Sequence, residues 1–118
     1  TPLELIAGIH RDPTFGPLIL FGLGGLWVEV FDETAMRPAP VTPEDIADMV
    51  EQLRGVSLLR GARNMPAVQP EAIESLLLTL SDIAMAAGES ITGIDINPLV
   101  ATTEGHLVAL DASVYLAG

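Results

Sequence analysis

Three features of the sequence predict an α+β fold with a mainly antiparallel sheet and two helices packed on one face. Strand-like runs occupy both ends of the chain, two capped amphipathic segments lie between them, and a glycine-bearing loop folds the last two runs onto each other. Residues 1–9 surround one carboxylate, Glu4, with aliphatic and β-branched side chains, and the turn-forming Arg11-Asp12-Pro13 follows. Residues 17–21 and 26–31 are the next two strands. The turn Gly22-Leu23-Gly24-Gly25 separates them, and Trp27, Glu29 and Phe31 alternate with Leu26, Val28 and Val30 as in a half-buried strand.

Val41-Thr42-Pro43-Glu44-Asp45 opens a helix, with Thr42 as N-cap, Pro43 in the first turn and Asp45 three residues beyond the cap. Ile46, Met49, Val50 and Leu53 share one face, and Gly55 is the expected stop. After a loop at 66–69, Pro70 starts a second helix whose Ile73, Leu76, Leu77, Leu80 and Ala84 line one face and which Gly88 ends. Runs 94–101 and 106–114 then form a hairpin through Thr103-Glu104-Gly105, with glycine at the left-handed position. That loop sets Thr102 opposite His106 and therefore Asn97 opposite Asp111, with Asp95 one diagonal step away on the same face. Ile94, Ile96, Leu110 and Ala112 fall on the other face and are the expected core. The element order is βββ-α-α-ββ, with no internal repeat.

Composition narrows the function. The 118 residues suit one domain spanning 1–118, and 49% hydrophobic residues exclude disorder. Sixteen acids against five arginines and no lysine give a net charge of −11, and aromatics are 4%, so nucleic acid is an unsuitable partner. The absence of cysteine excludes a disulfide scaffold, a thiolate zinc site and a cysteine nucleophile, and fits a cytoplasmic setting. The longest uncharged stretch, 17–28, is broken by glycines and falls short of the ~20 residues of a membrane helix. The chain starts at Thr1 with no leader and has a mean hydropathy of +0.46, which reads as a piece of a larger multidomain protein with apolar surface left for a partner or for self-association.

Asp95, Asn97 and Asp111 gather two carboxylates and an amide oxygen on one patch. Hard oxygen donors with open positions suit Mg²⁺ or Mn²⁺ held together with a substrate phosphate, although spacing alone favours the reading in which Asp95 and Asn97 bond a turn before Pro98. The glycine turn lacks the Gly-Lys-Ser/Thr of a phosphate-binding loop. His10 and His106 have no second ligand at zinc spacing, Ser113 has no histidine to activate it, and the Arg54, Arg60 and Arg63 cluster reads as surface ion pairing ahead of a phosphate contact.

Gly93-Ile94-Asp95-Ile96-Asn97-Pro98-Leu99-Val100 with Gly105-His106-Leu107-Val108-Ala109-Leu110-Asp111-Ala112 resembles the end of the ATP-grasp domain in NDP-forming acyl-CoA synthetases and the succinyl-CoA synthetase β subunit. Glu4 to Gly8, Arg11 to Pro17, Phe21 to Gly25 and Arg37 to Thr42 continue the resemblance, in order, to the ADP-forming acetyl-CoA synthetases. It implies the C-terminal lobe of an ATP-grasp domain within an acid-thiol ligase that works through phosphohistidine and acyl phosphate. It implies further that Asn97 and Asp111 hold the Mg²⁺ of ATP or ADP, and that Glu4 meets the ribose hydroxyls. Gly24 and Gly25 would let backbone approach the phosphoryl-transfer site. Asp95 would stand where the succinyl-CoA enzymes use glutamate against the phosphohistidine loop. The N-terminal lobe and the domains that bind CoA would be partners outside this chain, leaving the chain alone inactive. The same resemblance also fits a regulatory, acyl-CoA-sensing module fused to a protein lysine acetyltransferase.

Overall fold

Segments far apart in sequence pair to build the sheet. The computed structural model describes residues 3–25 and 34–118. Strands β1 (Glu4–Asp12), β2 (Gly16–Leu23) and β3 (Thr34–Pro38) precede helices α1 (Pro43–Gln52), α2 (Val56–Leu59) and α3 (Pro70–Ala87), and β4 (Ile91–Ala101), β5 (Leu107–Ala109) and β6 (Ala112–Leu116) follow. The order across the sheet is β3-β2-β1-β4, with β5 and β6 one after the other along the far edge of β4, and every pairing is antiparallel.

Strand alternation divides this sheet into two faces. Leu5, Ala7 and Ile9 of β1, Ile19, Phe21 and Leu23 of β2, and Ile96, Leu99 and Ala101 of β4 are buried together with Ile46, Met49, Ile73, Leu77 and Leu80 of the helices. Helix α3 packs on β1 and β2, and α1 packs on β3 and α3. Each large side chain hidden this way contributes about 1.5–3 kcal/mol. Among the described residues the opposite face carries no helix, and Glu4, Ile6, Gly8 and His10 of β1 belong to it.

Local chemistry fixes the helix ends. Asp45 donates its N–H to Thr42 Oγ1 at 3.1 Å and accepts the Thr42 N–H on its carboxylate at 2.9 Å, the capping box that the sequence predicts. Gly88 ends α3 at φ 57°. The buried Ser81 hydroxyl accepts the Val41 N–H at 2.9 Å, tying α3 to the segment that enters α1. Arg11 donates to the carbonyls of Gly88 and Ile91 and so anchors the same α3 terminus to β1.

Several boundaries differ from the sequence reading. β1 continues through Arg11 and Asp12, because Gly16 and Pro17 pair with them and the reversal is confined to Pro13, Thr14 and Phe15. The Asp12 carboxylate caps this turn by accepting the Phe15 and Thr14 N–H groups at 2.8 Å each, which holds its pKa below the ordinary value. Gly22 and Leu23 belong to β2, where they pair with Ile6 and Leu5, so the glycine turn is shorter than expected. The expected strand 26–31 lies outside the described residues, and the described third strand is Thr34–Pro38. Helix α1 stops at Gln52 instead of reaching Gly55, since Leu53 turns extended to bury its side chain.

The final hairpin keeps the predicted register from end to end. Thr102 donates to the His106 carbonyl at 2.8 Å, and Leu99, Val100 and Ala101 oppose Ala109, Val108 and Leu107. Ile96, Asp95 and Ile94 continue the series against Ala112, Ser113 and Val114. The run 106–114 is nevertheless split into two strands at Leu110 and Asp111. Pro98 has no N–H to return to Leu110, although its carbonyl accepts the Leu110 N–H at 3.0 Å. The expected core face is also corrected. Ile96 is buried and Ile94 half-buried, but Leu110 is 64% exposed and Ala112 is exposed as well, because the helices cover β1 to β3 and leave this edge bare.

Candidate nucleotide and metal site

The sequence-predicted residues meet on the helix-free face. Gly24 donates its N–H to the Glu4 carbonyl at 2.9 Å, which docks the end of β2 on the start of β1. Gly25 follows at φ 59°, and a Cβ there would stand 2.6 Å from Glu4 Oε2. Glycine is thus needed twice, for the backbone angle and for the Glu4 carboxylate lying against it. Glu4, Gly24 and Gly25 form one corner of the site.

One strand further, the β1–β4 register slips. Leu5 opposes Leu99 and Ala7 opposes Ile96, so Ile6 alone faces the two residues Asn97 and Pro98. Ile96 and Leu99 are both buried although three positions apart, which leaves Asn97 and Pro98 together on the open side of the bulge. Asn97 donates its backbone N–H to the Asp111 carbonyl at 3.1 Å, so these two residues stand directly across from each other. Asp111 accepts the Ala112 N–H on Oδ1 at 2.9 Å and keeps its second oxygen available. From Gly24 to Asp111 the residues occupy successive positions across the sheet, about 15 Å at the usual strand spacing.

Asp95, itself exposed, is among the residues that line a cavity of about 540 Å³ beside this row. Two glycines among its lining residues let the backbones of β1 and β4 approach closely. Gly8 pairs with Asp95, and a Cβ on it would sit 2.2 Å from the Ile94 carbonyl oxygen; Gly93 would press its own Cβ to 3.1 Å from the Ile9 oxygen. Ile6, Leu20, His10 and Tyr115 wall the cavity. Sequence reading assigned no role to Gly8, Gly93, His10 or Tyr115. A glycine within each of two strands is the signal that could have marked them.

Oxygen chemistry suits a hard cation at Asn97 and Asp111. Among the described residues no three His, Asp or Glu side chains converge on one point, so no closed protein cage exists. An amide oxygen and one free carboxylate oxygen instead match an ion that keeps water and takes phosphate oxygens as its remaining ligands, the habit of Mg²⁺. The basic cluster does not join this site through Arg60, which pairs on the surface with Glu51.

The model for the ATP-grasp domain matches residues 1–116. The chain belongs to the ATP-grasp domain family. This ATP-grasp chain is 39% identical over 113 residues to the β subunit of the ADP-forming acetate–CoA ligase I of Pyrococcus furiosus, covering 96% of this chain and 48% of that subunit. It is 38% identical over 105 residues to the ADP-forming acetate–CoA ligase I of Archaeoglobus fulgidus, covering 89% of this chain and 15% of the relative. The ATP-grasp chain thus spans about half of the first relative and a smaller share of the second. Among solved structures, it superposes with a TM-score of 0.87 and 36% identity on the dinucleotide-forming acetyl-coenzyme A synthetase 1 of Ca. Korarchaeum cryptofilum, over 99% of this chain and 54% of that one. That synthetase was solved with coenzyme A and Mg-AMPPCP, its phosphohistidine segment pointing towards the nucleotide-binding site. No described helix of the ATP-grasp chain is long and apolar enough to cross a membrane.

Proposed function

We propose that this chain is the Mg²⁺- and nucleotide-positioning lobe of an ADP-forming acyl-CoA synthetase, an acid-thiol ligase whose phosphoryl group travels through phosphohistidine and acyl phosphate. The observation that carries the reading is the pairing of Asn97 with Asp111 at a break in the sheet, on the same open face as Glu4 and Gly25. Similarity to the acetate–CoA ligases over nearly the whole chain supports it.

Each residue has a distinct task in this account. The Asn97 amide oxygen and the free Asp111 oxygen hold the metal side of the nucleotide. Glu4, braced against Gly25, accepts hydrogen bonds from the ribose hydroxyls, and the Gly24-Gly25 backbone lets the phosphates approach closely. Asp95 receives the imidazole of the phosphohistidine segment. Bound at Asn97 and Asp111, Mg²⁺ supplies neutralisation of the charge on the phosphoryl group in transit.

The chain does not act alone in this reading. Five arginines, sixteen acids and no lysine give it little to grip a polyanion, so phosphate-binding cations and the sites for CoA and the acyl group come from the remainder of the protein or complex. Calorimetry of ADP and ATP binding to the parent protein, with and without Mg²⁺, tests the reading. Wild type should bind in a Mg²⁺-dependent way, and Asn97→Ala with Asp111→Ala should weaken binding at least tenfold. Equal binding by the folded double variant would overturn the assignment.

A further inference from the structure

The two edges of the sheet are protected unequally. Strand β3 at one edge carries Arg37 and closes on Pro38, and α1 packs against it. Strand β6 at the other edge has neither a charge nor a proline, and no charged residue follows it through Gly118. In a chain with a net charge of −11, this is a neutral strip. Among the described residues nothing pairs with the outer side of β6, and its Val114, Tyr115 and Leu116 are each more than half exposed.

The backbone of β6 divides between its two sides. Asp111 accepts the Asn97 N–H and Ala117 donates to the Ser90 carbonyl, so at both ends of the strand the odd-numbered residues bond inward. Alternation then points the N–H and C=O groups of Ala112, Val114 and Leu116 outward. Asp111 Oδ1 already accepts the Ala112 N–H at 2.9 Å, which leaves the Val114 and Leu116 N–H groups and the carbonyls of all three for a partner strand. These residues also share a side-chain face, since Ala112 lies opposite the buried Ile96 and Val114 opposite the half-buried Ile94.

We propose that β6 pairs antiparallel with the β6 of a second copy, about a two-fold axis through Val114. This register pairs the whole strand. Val114 faces its own copy and exchanges both hydrogen bonds with it, and each Leu116 N–H reaches the partner's Ala112 carbonyl. On the helix-bearing face Leu116 stands beside the partner's Ala112 and Val114 beside the partner's Val114, in an unbroken apolar row; Tyr115 stands beside the partner's Ser113 on the other face. Asp111 meets the partner's Ala117, so no carboxylate opposes another. This neutrality selects a second copy as the occupant, because a surface such as that of α1, with Glu44, Asp45, Asp48 and Glu51, would set like charges against themselves. A ladder of this length, about 17 Å, buries less than a standard interface of ~1,600 Å², so the contact is reversible. It joins two sheets into one and holds Asp111 at the start of a strand bonded on both sides.

Photo-cross-linking of the parent protein, with benzoylphenylalanine incorporated in place of Tyr115, tests the proposal. Irradiation should join two copies, and peptide mass spectrometry should place the bond within residues 111–117 of the second copy. In the same background Val114→Lys sets two ammonium groups against each other across the axis and should lower the yield about tenfold, as should Val114→Glu. Co-expression of the two charged variants should restore the yield, because the introduced charges then attract, whereas a variant that had failed to fold would not be rescued. Cross-links to a different segment of the parent protein or to another subunit, or no cross-link at all, would overturn the proposal. So would a Val114→Lys yield equal to that of the uncharged protein, or a loss that co-expression does not repair. The nucleotide assignment at Asn97 and Asp111 is independent of these results and stands or falls on the calorimetry.

Discussion

The two halves of the sheet obey the same alternation and end in opposite environments. On β1 and β2, Leu5, Ile19 and Phe21 are 0% exposed beneath α1 and α3. On β5, β6 and their junction, Leu110, Val114 and Leu116 are 64%, 55% and 72% exposed, with no described helix packed on them. Periodicity therefore says which residues share a face, while the reach of the helices decides whether that face is dry. Of the candidate metal ligands, Asp111 lies at the junction in the bare half and Asn97 faces it from β4, between the buried Ile96 and Leu99.

Substitutions can break this contrast or sharpen it. Phe21→Ala should cost about 3–5 kcal/mol, because the covered half cannot collapse around the missing ring. Gly8→Ala should cost about 3 kcal/mol, since its methyl would meet the Ile94 backbone oxygen, which no side-chain rotation can relieve. Ser81→Ala should cost about 1–2 kcal/mol by leaving the buried Val41 N–H without its acceptor. Leu116→Ala, on the bare half, should stay within about 0.5 kcal/mol. Urea unfolding of the four variants checks this order, and a Leu116→Ala cost equal to that of Phe21→Ala would erase the distinction between the halves.

The smallest effect concerns pH. Hydrogen bonds from Phe15 and Thr14 lower the Asp12 pKa in the folded state, so the stabilisation is complete above the ordinary aspartate value and is lost as pH falls through the lowered one. Asp12→Asn should therefore flatten the acid side of a melting-temperature profile and change little at pH 7. An unaltered acid limb would contradict the capping role.

Much of the site's frame was legible because it depended on local rules. Thr103-Glu104-Gly105 fixed the hairpin register, with Gly105 at φ 85°, and that register alone placed Asn97 across from Asp111. The capping box at Thr42 and Asp45 was equally local. Strand β3 is not legible in the sequence because Thr34 to Pro38 has no clear apolar alternation and closes on proline. Leu110 and Ala112 were misplaced in the core because their cover depends on where α1 and α3 end up, which no strand pattern encodes. The cavity at Asp95 was hidden for a related reason: Gly8 and Gly93 become neighbours of Asp95 only after β1 and β4 pair across most of the chain.

The most direct test of the central claim is paramagnetic relaxation by Mn²⁺ on the isotope-labelled parent protein in the presence of ADP. The account predicts that the amides of Asn97, Asp111 and Ala112 broaden first, that Gly24 and Gly25 follow, and that the broadening disappears in the Asn97→Ala plus Asp111→Ala variant. Broadening centred on the acidic surface of α1, or unchanged in the folded variant, would contradict it.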